Sequence, residues 1–198
     1  MKSTIILVIS VLSFSLLVRS QDFKTDITNA KQSYSSGKLE EAHFALMQAM
    51  QEIDIKVGQE ILKMLPAKMD TMNANTKEDR VAASSGFLGT TISRSYGVSR
   101  SGDLSIISNS PMVSALNTFL NTPMLGGMMS DGNTKIIKVQ GYKGRMTKED
   151  HGDGTTGYSV EIPLSNALIT FKVSNCTDTQ MLAMANTLPL QQVAKLIQ

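Results

Sequence analysis

The sequence predicts an α+β fold, with an antiparallel sheet of about six strands flanked by helices and an N-terminal helical hairpin arm before it. Three observations predict it. Residues 158–163 and 167–173 alternate apolar and polar side chains on either side of a short Leu164-Ser165-Asn166 turn, the period of paired, half-buried strands. Residues 39–65 carry apolar side chains at steps of three and four, the period of a helix with one buried face. Between these stretches, short alternating runs separated by Gly, Asn and Asp read as a meander of further strands.

Residues 1–20 precede that fold and read as a signal peptide. Lys2 supplies the charged start, and Ile5 to Val18 an apolar run shorter than the roughly 20 residues that span a bilayer. Val18-Arg19-Ser20 then offers a cleavage site. The protein is therefore expected to be exported, to the periplasm or the medium, with no membrane span after cleavage. Without Lys2 and Arg19, seventeen basic residues face seventeen acidic ones. A neutral chain with no long basic run is not built to bind nucleic acid. The single cysteine, Cys176, rules out an internal disulfide, and thirteen methionines with no tryptophan predict an aliphatic, thioether-rich core.

The arm comes first, over residues 21–66. Asp22 to Ser36 forms a short helix with Ala30 and Tyr34 inward, stopped by Ser35-Ser36-Gly37. Ala42, Leu46, Met50, Ile53, Val57, Ile61 and Leu65 then share one stripe of a long helix that Pro66 ends. Glu52 and Lys56 pair at a four-residue spacing on its exposed side. Tyr34 and Gly37-Lys-Leu-Glu-Glu-Ala42, on to Ala49, resemble one tetratricopeptide-type helical unit. No second copy follows at the expected period, so a stacked peptide-binding groove is not expected. The arm should instead cover the sheet.

Residues 67–86 are polar and poorly periodic and read as a linker, leaving 87–198 for the sheet domain. Thr91 to Val98 alternates, with Ile92, Tyr96 and Val98 on one side. Arg100-Ser-Gly-Asp103 turns the chain into a second strand, Leu104 to Asn109. Ser110-Pro111 starts a helix that buries Met112, Leu116, Phe119 and Leu120. Thr134 to Gln140 and Tyr142 to Lys148 add two strands before the hairpin of 158–173. There, Ala167, Ile169, Phe171 and Val173 share a face with Tyr158, Val160 and Ile162. Thr177 or Asp178 caps a closing helix that carries Met181, Leu182, Met184, Ala185 and Leu188. This order of hairpin, helix, meander and helix over residues 87–198 resembles that of PsbP-like domains. The resemblance implies a non-enzymatic accessory or binding role.

Each candidate for chemistry competes with a plainer account. Cys176 precedes a helix N-terminus, which favours a thiolate, but only His43 and His151 could serve it as a base, and a small buried residue closing a strand is the better account. Asn175-Cys-Thr177 also matches the N-glycosylation sequon of eukaryotes. Glu149, Asp150 and Asp153 lie among glycines without calcium-loop spacing, as in any exposed turn. Lys135, Lys138, Lys143, Arg145 and Lys148 form the one basic cluster, and Lys143 with Arg145 would present a strand face to an anionic partner. Met124, Leu125, Met128 and Met129, hinged by two glycines, are candidates for an adaptable apolar contact.

No phosphate loop, nucleophile elbow or metal-binding spacing occurs, and no cofactor is expected. The expectation is an exported binding or accessory protein of the cell envelope, whose partner is an envelope protein or an apolar ligand. Met124, Leu125, Met128, Met129, Lys143 and Arg145 are its candidate contacts. The alternative is a small hydrolase using carboxylates, with Glu161 or the 149–153 turn in its site.

Overall fold

The apolar alternation of the strands and the helical stripe of residues 39–65 meet across one face of a single sheet. The computed structural model describes residues 22–83, 89–122, 132–152 and 154–197. Helices α1 (Phe23–Ser35) and α2 (Leu39–Met64) form the arm. A small two-stranded sheet follows, β1 (Lys68–Met69) with β2 (Met72–Asn73), and then a 3-10 turn at Thr76–Glu78 and strand β3 (Arg80–Ala82). The hairpin β4 (Thr91–Tyr96) and β5 (Gly102–Ser108) leads to α3 (Met112–Asn121). Strands β6 (Thr134–Val139), β7 (Tyr142–Asp150), β8 (Thr156–Pro163) and β9 (Ala167–Val173) precede α4 (Asp178–Ala185) and α5 (Leu190–Leu196).

The α+β class is as the alternation and the helical stripe predict. Seven strands pair antiparallel in the order β3-β4-β5-β9-β8-β7-β6. The stretch expected to act only as linker supplies the two-stranded sheet and the edge strand β3. Its strands have two or three residues each, too few for a periodicity to register.

The register puts Val160 opposite Phe171 and Ile162 opposite Ile169, so the expected face forms as one surface. Leu104, Ile106, Ile92, Met146 and Val139 extend it across the other strands. Ile61, Leu62 and Leu65 of α2, Met181 and Met184 of α4, and Leu190 and Val193 of α5 cover it. Each such side chain, fully buried, contributes about 1.5–3 kcal/mol before the entropy of ordering is set against it. Tyr96 meets Phe171 edge to face at 6.3 Å, and its hydroxyl donates to the Pro66 carbonyl. Among the described residues, α3 covers the opposite face, through Val113, Leu116 and Leu120 on Leu168. Thr177 and Gln180 close a reciprocal capping box at the start of α4.

Three details differ from expectation, each for a local reason. Tyr34 is exposed rather than inward, because α1 buries Asp26 and Ala30 and Tyr34 lies at the turn end of the hairpin, beside the start of α2. Val98 is 87% exposed, because β4 stops at Gly97, whose φ of 75° turns the chain out of the sheet. Met112 is exposed, and Val113 takes the inward position at the start of α3.

The single stripe expected on α2 divides between two partners. Ala42, Ala45 and Ala49 face α1, and Ile61, Leu62 and Leu65 face the sheet, while Leu46, Met50 and Ile53 fall between and stay exposed. Small alanines let α1 approach closely. Glu52 accepts the Phe23 backbone N–H at 2.7 Å, which serves an orphan donor at the start of α1. The junction with the sheet is pinned by Arg94, 6% exposed. It donates to Asp79 Oδ1 at 2.9 Å and to the Leu65 carbonyl at 3.1 Å. Removing one partner of so buried a pair costs about 3–5 kcal/mol, because the other charge is left stranded.

Candidate functional site

Where the middle of α2 crosses the end of the sheet, packing is incomplete. A cavity of about 230 Å³ lies between α2 (Met50, Asp54, Val57), the chain entering β4 (Thr90, Ile92), the end of β5 (Ser108, Asn109), Asn166 of the β8–β9 turn, and the end of α5 (Leu196, Ile197). Asp54 stands on the stripe that Val57, Ile61 and Leu65 continue into the core. A carboxylate there gives up water without joining the packed interior.

The polar wall is held by backbone bonds. Thr90 donates its N–H to Ser108 Oγ at 2.9 Å, and Ser108 N–H donates to the Thr90 carbonyl at 3.0 Å. Asn109, with φ of 51°, donates its N–H to the Asn166 carbonyl at 2.6 Å. Gly89 permits this closeness, since a Cβ there would lie 2.3 Å from the Ser108 carbonyl oxygen.

Two groups in this wall are unusual. Thr90 is 3% exposed, and its hydroxyl oxygen has no hydrogen-bond partner. Buried hydroxyls are nearly always bonded, and leaving one unmade costs about 1–3 kcal/mol. Burial raises the Asp54 carboxyl above its ordinary range, and the neighbouring Thr90 hydroxyl partly opposes that shift. No cation contributes to the shift. An unneutralised carboxylate and a buried hydroxyl thus face a cavity whose other walls are aliphatic on the α2, β4 and α5 sides and polar at Ser108, Asn109 and Asn166. Such a mixture of apolar lining and a few convergent polar groups is the usual make-up of a ligand site.

None of the described residues singled out from sequence for chemistry or binding lines this cavity. Met124, Leu125, Met128 and Met129 fall outside the described residues, as do residues 1–20 and Asp153. Lys143 and Arg145 do share the α3-covered face of β7, and both are engaged within the molecule. Lys143 Nζ donates to Asn121 Oδ1 at 2.8 Å, at the C-terminal end of α3. Arg145 Nε donates to Glu161 Oε2 at 2.6 Å, and its guanidinium lies 5.7 Å from the Phe119 ring centre.

Glu161, the first carboxylate of the hydrolase alternative, is therefore ion-paired with Arg145 on the α3-covered sheet face, and Glu149 lies 3.5 Å from Lys172 Nζ. His43 is exposed on α2 and His151 in the β7–β8 turn. Cys176 packs partly buried against the core. Among the described residues no three metal-ligating side chains gather, and no helix is long and apolar enough to cross a membrane.

Sequence reasoning missed Asp54 and Thr90. Asp54 left one legible signal, a carboxylate interrupting the apolar stripe four residues after Met50 and three before Val57. Thr90 left none, because its burial comes from strands that pair far along the chain. No family model matches this chain, and neither the curated proteins nor the solved structures contain a significant match.

Proposed function

We propose that this is an exported, non-enzymatic binding protein of the cell envelope, which takes a small amphiphilic ligand in the cavity between α2 and the sheet. The observation that carries the reading is the Thr90 hydroxyl, buried and without a partner at the wall of a cavity that also holds the Asp54 carboxyl. The Thr90 hydroxyl offsets only part of the cost of burying Asp54, and a ligand that satisfies both groups turns the rest into affinity. Export is supported by residues 1–20, with their charged start, apolar run and small-residue cleavage site. The order of elements in 87–198, like that of PsbP-like accessory domains, points toward binding as well.

The test is methyl NMR of the purified protein with six-carbon amphiphiles bearing cationic, neutral and anionic heads. Saturable shifts at the Val57, Ile92 and Ile197 methyls are expected with at least one of them. They should vanish in Val57→Phe, which fills the cavity. Silence at these methyls with every probe removes the site and the reading built on it.

A further inference from the structure

The polar groups at the cavity differ in what they ask of a ligand, and this narrows its chemistry. Asp54 offers only acceptors when ionised. It has no ion pair among the described residues and no cation in its surroundings that shifts its titration. Thr90 Oγ1 offers one donor and two acceptor lone pairs, and apart from the Asp54 carboxyl beside it no group takes them up. An anion would be repelled by Asp54. A neutral alcohol would satisfy Thr90 but leave the partly buried carboxylate without a counter-charge. A primary ammonium has three donors on one atom, enough to meet the carboxylate and the hydroxyl together, and charge-assisted bonds are the stronger kind.

The rest of the cavity sets the tail. Val57, Ile92, Leu196 and Ile197 supply aliphatic walls, and among the described residues no aromatic ring lines the cavity to favour a quaternary ammonium by cation–π contact. A dry cavity of about 150 Å³ takes a molecule the size of benzene, so 230 Å³ takes a short chain of roughly six carbons with its head group.

Resting on the binding reading above, we infer that the cavity is a site for small amphiphilic primary amines, with the ammonium between Asp54 and Thr90 and the aliphatic chain on Val57, Ile92 and Leu196. The probes are n-hexylamine, n-hexanol and hexanoate, titrated calorimetrically into the purified protein at neutral pH.

Hexylamine is expected to bind at least tenfold more tightly than hexanol, and hexanoate not at all. Asp54→Asn should weaken hexylamine at least tenfold, with a thermal melt showing that the variant is folded. Thr90→Val should weaken it less. Hexanol or hexanoate binding as tightly as hexylamine overturns the amine while leaving the cavity as a binding site. An Asp54→Asn variant with unchanged hexylamine affinity overturns it too. The absence of binding by all three overturns both this inference and the reading it rests on. The comparison among probes uses the unaltered protein, so it stands even where a variant fails to fold.

Discussion

Cys176 shows two opposing physical effects on a single atom. It sits just before Thr177, the N-cap of α4, where a helix end stabilises a thiolate by a few tenths of a kcal/mol to about 1 kcal/mol. Packing against the core works the other way and prevails, raising the thiol from 9.0 to about 11. In the unfolded chain the thiol loses its proton near 9, and in the fold near 11. The fold therefore keeps this contribution in full below the lower value and loses it as pH rises through that window. Tyr96, raised from 10.0 to about 12 by burial, acts in the same direction one step higher. Iodoacetamide labelling of the folded protein should be slow near neutrality and should keep accelerating to about pH 11. A rate that levels off near the ordinary thiol value would contradict this. The sequence showed the helix start and favoured a small buried residue closing the strand, and the structure packs Cys176 partly buried against the core.

At the scale of elements, α2 has two tasks along one length. Its first half holds α1 through alanines, and its second half lies on the sheet. Its apolar spacing reads as one stripe because each residue type is visible while its partner is not. Gly58 marks the crossing. In an isolated helix Gly→Ala gains about 1 kcal/mol. Here a Cβ would lie 2.5 Å from Val81 Cγ1 and 3.1 Å from Ile92 Cγ1. Gly58→Ala is expected to destabilise the protein by about 1–3 kcal/mol, the range for overpacking, in urea unfolding. A gain in stability would mean that α2 lies farther from the sheet than described. The helix start at Thr177 or Asp178 and the 158–173 hairpin, by contrast, were legible, since both are settled by residues within a few positions of one another; the structure chooses Thr177 and adds Gln180.

For the whole molecule, the decisive pairing joins distant parts of the chain. The β4–β5 hairpin and the β6–β7–β8 meander are each local, and β9 lies between them, with Leu104 opposite Phe171 on one side and Val160 opposite Phe171 on the other. Local alternation reveals strands and hairpin registers, but β5 and β9 carry no mark of each other. A chain ending at Asn166 should therefore form two half-sheets with open edges and show no cooperative thermal transition by circular dichroism. A sharp transition in that shortened chain would show that one half folds unaided.

The position of β9 also has a consequence in time. A ribosome delivers the chain from its N-terminus, so the strand that unites the sheet is the last of the nine to emerge. Until then, the nascent polypeptide has no finished core to close around. For the export proposed above, that delay would leave the sheet unfinished until most of the chain has been made.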